Sequence, residues 1–334
     1  MKHFATFIGA TAAALVMTGA AFAQEATLRL HQMLPPQATI PAKAIEPWAQ
    51  RIEEASEGRL KIELYPAMQL GGAPPQLYDQ AKDGVVDIIW TVLGYTPGRF
   101  PKSEVFETPF MVTTGEATSR AFQEFVEEYA MDEFEGVKLI AVHTHGPGLF
   151  HMKDPVNSLE DLNGKKVRGG SRIVNEMLVS LGAEPIGMPV PAVPEALSKG
   201  VIDGTTIPWE VTTALRTSEL VTNHTGFSGD HGLYTQTFGL VMNLDAYNNL
   251  PDDLKAIIDA ESGVEVAAEF GRAMDAGDVG GLKVAEDLGN NIITLDPGPW
   301  QDAAQPIIDN WIESTPDGQM LFDAAKALVD KHSM

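Results

Sequence analysis

The sequence predicts an α/β protein of two lobes. Strand-like apolar runs alternate with helical patterns along most of the chain. Residues 24–334 are more than a single hydrophobic core usually supports. Two distant segments are also alike. AKDGVVDI (81–88) and LSKGVIDG (197–204) each join a helix end, a glycine, two β-branched residues and an aspartate. Each glycine suits the left-handed position that closes a helix before the chain enters a strand.

The elements follow in order. Leu28 and Leu30 mark a first strand. A helix over 42–57 places Ile45, Trp48, Ile52 and Ala55 on one face, and Gly58 stops it. Leu60, Ile62 and Leu64 alternate as a strand. Residues 76–82 read as a helix, 85–93 as a buried strand, 118–134 as a helix and 137–143 as a strand. A second lobe opens near 145–149. It repeats the alternation through KKVRG, a helix over 172–181, EPIGM, a helix over 193–199 and VIDGT. Residues 234–243 read as a long strand. Pro251 begins a helical stretch to about Leu288, which glycines at 263, 271, 277, 280 and 281 are expected to bend. A last strand over 292–295 and helices over 299–314 and 317–331 close the chain. The expected division is 24–145 with about 234–270 in the first lobe, and about 146–233 with about 271–334 in the second.

Residues 1–23 read as an export signal. Lys2 and His3 form a basic start, residues 4–20 carry no charge, and Ala21-Phe22-Ala23 gives a small-x-small cleavage pattern. The alternative is a membrane anchor, but the apolar run is near the lower limit for a span and no basic stop-transfer cluster follows it. The expected product is periplasmic, without stable membrane insertion. Cysteine is absent, which removes disulfides, thiol catalysis and cysteine-based zinc sites. Lys and Arg number 23 against 46 Asp and Glu, a formal net charge of −23. Nucleic-acid partners are therefore not expected, because backbone affinity depends on cations that neutralise phosphates. An anionic ligand would need a local positive spot.

Arg168 supplies one. It ends the strand-like run KKVR and is followed by Gly169, Gly170, Ser171 and a helical pattern. A planar guanidinium fork at a strand end, beside the free N–H groups of a helix start, suits a carboxylate. The two glycines are expected to let backbone approach the bound anion.

The segments DLNGKKVR (161–168), LGAEPIGMP (181–189) and EALSKGVIDG (195–204) resemble the DctP-type solute-binding proteins of TRAP (tripartite ATP-independent periplasmic) transporters. The resemblance implies a two-lobed fold like that of type II periplasmic binding proteins, with a long helix spanning both lobes. It implies that Arg168 clamps the carboxylate of an organic acid. It also implies that the closed receptor docks on the small and large membrane subunits of an importer driven by an ion gradient. The family often adds a second arginine and an asparagine at places held here by Gly148 and Ile207. A sugar acid would lack polar partners there, so a compact, more apolar monocarboxylate is favoured.

Trp90, Tyr95, Phe150 and Trp209 are the candidate walls of its pocket, although an aromatic residue is more often core than site. Glu210 would orient Arg168, accept a ligand hydroxyl, or simply favour a helix N-terminus. Gln32 follows the first strand in a loose match to a family contact turn. His145 is a candidate hinge-side hydrogen-bond partner, and Gln236 lies in the second expected crossing segment. His143 and His145 have a spacing that metals can use, but no third ligand is near in sequence, and a structural role is favoured. No cofactor is expected: H-E-x-x-H, P-loop and G-x-G-x-x-G motifs are all absent. Two rivals stand beside the transport receptor. One is a receptor of the same fold that presents its ligand to a sensor kinase. The other is a secreted hydrolase using Ser228, whose surroundings, Gly226-Phe227-Ser228-Gly229-Asp230, just miss the G-x-S-x-G elbow.

Overall fold

The computed structural model describes residues 25–334, so the expected export signal lies outside the described residues. The chain runs β1 (Ala26–His31), α1 (Glu46–Ala55), β2 (Leu60–Tyr65), α2 (Leu77–Lys82), β3 (Ile88–Val92), α3 (Gly115–Phe125) and β4 (Val137–Thr144). It continues through β5 (Leu149–Met152), β6 (Lys166–Gly169), α4 (Arg172–Ser180), β7 (Glu184–Gly187), α5 (Val193–Ser198), β8 (Gly204–Ile207), α6 (Trp209–Leu215), α7 (Thr217–Leu220) and β9 (Asn223–Phe227). The remainder is β10 (Thr237–Asn243), α8 (Leu244–Asn248), α9 (Asp252–Ala260), α10 (Val264–Asp287), β11 (Asn291–Leu295), α11 (Gly298–Ser314) and α12 (Gly318–His332).

Two sheets result. One has the order β2-β1-β3-β10-β4, with β10 antiparallel to both neighbours. The other has the order β11-β9-β5-β8-β6-β7. Two loop segments cross between them, 145–148 after β4 and 228–236 before β10, and α8, α9 and α10 make a third crossing from β10 to β11. The two loop segments are tied together where Gly148 N donates to Tyr234 O at 2.9 Å. Gly148 has no room for a side chain, since an added Cβ would lie 2.1 Å from the Tyr234 ring.

Departures from the sequence reading have local causes. The helix expected over 42–57 opens with a widened turn at Pro41–Ile45 before α1; Pro47 has no N–H to continue regular α-bonding. The helix expected over 118–134 starts earlier, at Gly115, where the Thr114 hydroxyl accepts from Ala117 N, and it loosens after Phe125. The stretch from Pro251 is two helices, parted at Gly263 with φ +90°.

Three other glycines of α10 are points of close approach. A Cβ at Gly271 would meet Gly115 O at 2.3 Å, at Gly277 the Glu210 Cγ at 2.6 Å, and at Gly281 the Trp209 O at 2.0 Å. Glycine here lets one helix lie directly against α3 and α6. Strand β9 was not foreseen; its residues, NHTGF, do not alternate. The expected placement of 271–334 also needs correction. α12 packs on α3, beside the first sheet, with Lys331 bonded to Glu124 and the Ser333 hydroxyl to Thr113.

Candidate functional site

A small cavity lies between the sheets. Met33, Leu34, Trp90, Val92, Tyr95 and Phe238 line it from the first lobe. Arg168, Val190, Ile207, Pro208, Glu210 and Val211 line it from the second. His145 and Gln236 come from the crossing segments, and Met274 from α10.

Its apolar floor is built by strand pairing. Phe238 on β10 pairs with Val92 on β3 and His143 on β4. The Phe238 ring stacks on Trp90 at 5.2 Å and on His143 at 4.8 Å. Trp90 Nε1 donates to His143 Nε2 at 2.8 Å. This requires the neutral ring, and burial indeed pushes His143 down to about 3. Among the described residues no group of side chains could hold a metal ion.

Arg168 is wholly buried at the end of β6. Nε donates to Met188 O at 2.9 Å, Nη1 to Thr206 O at 3.2 Å and Nη2 to Tyr95 Oη at 3.4 Å. Among the described residues no carboxylate pairs with it, whereas nearby Arg172 is bonded to Glu104 and Glu176. Of the five guanidinium N–H groups, these contacts leave two for a ligand. Tyr95 Oη also accepts from Val190 N at 2.8 Å, so its own hydrogen is free to donate. Burial raises the Tyr95 pKa, opposed by the Arg168 charge, and keeps the phenol neutral.

His145 and Gln236 complete this end. His145 Nδ1 donates to Gly146 O at 2.5 Å, and Nε2 accepts from Gln236 N at 3.1 Å. Burial pushes its pKa down to about 4. Both ring nitrogens are used, so His145 is a neutral wall that links the two crossing segments. Gln236 is buried with Nε2 unpartnered.

Beside Gly169 and Gly170, which the sequence reading expected to let backbone approach an anion, the side chains of Asn175 and Gln236 fill the space that a Cβ would take. At the start of α4, Ser171 Oγ accepts from Val174 N at 3.3 Å.

Three expected wall or contact residues lie outside the cavity. Phe150 is core, packed on Trp300 at 5.7 Å. Trp209 turns away to cover His151 and His224, at 5.0 and 4.8 Å, and borders a separate groove with Leu149 and Phe227. Gln32 bonds within its own turn, to the N–H and C=O of Leu34. Ser228 donates to Leu295 O and follows a strand without entering a helix, so no nucleophile elbow forms.

Glu210 sits on the cavity wall, its side chain laid over Gly277 of α10. Its N–H donates to Asp278 Oδ1 at 2.6 Å. Burial pushes its carboxyl up to about 7, with Thr39 opposing. Sequence reasoning missed Met33, Leu34, Val190, Phe238 and Met274. Nothing in an apolar residue type tells a cavity wall from core.

Comparison with known proteins fits this geometry. Residues 31–315 match the family described as bacterial extracellular solute-binding protein, family 7 (DctP). A TRAP solute-binding protein from Rhodoferax ferrireducens, solved with copurified benzoate, is 46% identical, with a TM-score of 0.90 over 92% of this chain and 98% of that one. A marine metagenome TRAP solute-binding protein specific for aromatic acids, solved with 3-hydroxybenzoate, is also 46% identical, with a TM-score of 0.91 over 92% and 99%. One from Bordetella bronchiseptica, with (R)- and (S)-mandelate bound, is 28% identical, with a TM-score of 0.86 over 92% and 99%. By its match over most of its length and its shared two-sheet architecture, the chain belongs to the DctP family of bacterial extracellular solute-binding proteins.

Proposed function

We propose that this chain is the periplasmic receptor of a TRAP-type importer and that it captures a compact aromatic monocarboxylate between its lobes. The observation that carries the reading is Arg168, fully buried without an acidic partner beside an aromatic-floored cavity. A buried charge is costly unless it is paired. A ligand carboxylate would pair it and accept from Tyr95 Oη and Gln236 Nε2 as well. The ring of such an acid would lie on Trp90 and Phe238. The ligands held by the solved relatives, benzoate, 3-hydroxybenzoate and mandelate, are acids of this kind.

The chain would do no chemistry itself. Its partners would be the membrane subunits that accept the ligand, and among the described residues no helix is long and apolar enough to cross a membrane. A thermal-shift panel tests the ligand class, because stabilisation at fixed concentration tracks affinity. The panel holds benzoate, mandelate, a branched 2-oxo acid, a C4-dicarboxylate and glucuronate. Benzoate or mandelate is expected to give the largest shift. A largest shift from the dicarboxylate or glucuronate, with none from the aromatic acids, overturns the reading.

A further inference from the structure

Glu210 lines the cavity without a full set of hydrogen-bond partners. It is only 4% exposed, and its Oε1 has no hydrogen-bond partner. Buried polar atoms in folded proteins are nearly always bonded, and an exception calls for a ligand or water. The side chain is held where it is. Its stem crosses Gly277, where any side chain would strike it at 2.6 Å, and Asp278 fixes its backbone N–H.

It also stands apart from the carboxylate clamp. Arg168 is bonded to Met188, Thr206 and Tyr95 and makes no ion pair with Glu210. Arg168, Tyr95 and Gln236 offer donors to an anion. Glu210 offers an acceptor that an anion would avoid and a hydroxyl would satisfy.

We propose that Oε1 of Glu210 accepts a hydrogen bond from a hydroxyl group on the body of the ligand, making Glu210 the residue by which the receptor prefers a hydroxylated aromatic acid to its unsubstituted parent. The proposal rests on the aromatic-acid reading above and adds a specificity residue to it. A site built to bond a hydroxyl rejects the analogue lacking it, because the protein group is then left unpaired.

The test is calorimetry on the wild-type receptor with benzoate and with 2-, 3- and 4-hydroxybenzoate, repeated on Glu210→Leu and Glu210→Gln. At least one hydroxybenzoate is expected to bind the wild type roughly tenfold or more tighter than benzoate. Glu210→Leu should bring that ratio close to one while benzoate affinity holds or rises. Glu210→Gln, which keeps an acceptor oxygen, should retain most of the preference. If Glu210→Leu does not fold, the wild-type ratio and the Gln variant decide. Equal wild-type affinity for all four acids overturns the proposal and leaves the aromatic-acid reading standing. Equal loss of benzoate and hydroxybenzoate in Glu210→Leu overturns it too, since that marks a merely structural residue. If none of the four acids binds the wild type, the aromatic-acid reading falls and takes this proposal with it.

Discussion

Burying Arg168 without an acidic neighbour costs free energy that an entering carboxylate would recover, so affinity should turn on this side chain. Arg168→Ala is expected to weaken ligand binding by about 3–5 kcal/mol, the cost of leaving a buried charge unpaired. Arg168→Lys should also bind poorly, because an ammonium cannot reproduce the planar fork that reaches Met188, Thr206 and Tyr95. Calorimetry showing near wild-type affinity for Arg168→Ala would contradict both. Gly148 carries a separate prediction. Gly148→Ala places a methyl 2.1 Å from the buried Tyr234 ring, and overpacking of this kind typically costs about 1–3 kcal/mol. Chemical denaturation should register that loss, and an unchanged midpoint would mean that the crossing segments yield easily. The place of Arg168 at a strand end was legible from the run KKVR, and the structure has it on the cavity wall. Phe150 and Trp209 were misplaced because an aromatic residue reads the same whether it faces core or cavity. Period-two alternation fixes which residues share a face of a strand, but not which face meets the cleft.

Most strands and helices were legible from apolar periodicity and from helix-closing glycines. What the sequence hid was the use of α10. Its glycines at 271, 277 and 281 looked like bends and are contacts, a distinction that depends on neighbours remote in the chain. Two of its carboxylates, one turn apart, cap two other helices. Asp275 accepts from Gly115 N and Glu116 N at the start of α3, and Asp278 from Glu210 N at the start of α6. A further network supports α6 from below. His151 Nε2 donates to Ile207 O at 3.2 Å, its Nδ1 meets His224 Nδ1 at 2.7 Å, and Asn290 Nδ2 donates to His224 Nε2 at 2.9 Å. All these bonds are satisfied only when both imidazoles are neutral. Burial pushes His224 down to about 4, and burial with the neighbouring His224 pushes His151 well below 6.5. A lowered folded-state pKa gives stability that is complete above about 6.5 and lost as pH falls towards about 4. Glu107 and Glu210 act in the opposite sense. Burial raises each from 4.5 to about 7, so their contribution is complete below about 4.5 and lost as pH rises through about 7. Self-repulsion in a chain of net charge −23 adds to the alkaline loss. The melting temperature of the ligand-free receptor should therefore peak between about pH 4.5 and 6.5. Glu210→Gln should flatten the alkaline side, and a melting temperature that climbs steadily from pH 4 to 8 would refute the balance.

At the scale of the whole molecule, the lobes are in contact across the cleft. Arg172 at the start of α4 is bonded to Glu104 of the first lobe, and Tyr95 of the first lobe accepts from Val190 N of the second. The crossing segments, joined at Gly148–Tyr234 and His145–Gln236, are where a hinge is expected. The alternation of strands and helices was legible along the chain up to β10. Beyond it, the placement of α12 on α3 was not, because an amphipathic helix does not name the surface it covers. Ligand bonded to Arg168 from one lobe and resting on Trp90 from the other interacts fully only when the lobes are closed, so binding should shift the population towards closure. X-ray scattering should show a smaller radius of gyration with saturating ligand than without it, and an unchanged profile would indicate a rigid receptor. The Glu104–Arg172 pair joins the lobes outside the ligand cavity, so opening of the lobes would break it. Glu104 is buried and Arg172 about two-fifths exposed, so part of the pair is screened by solvent. Arg172→Ala should therefore weaken binding modestly, by roughly three- to tenfold, through a smaller closed population. The loss should appear mainly as faster release, since the open form that first meets the ligand does not use the pair. Stopped-flow measurement separates the two rates. A slower on-rate with unchanged release would place Arg172 in the encounter and not in the latch.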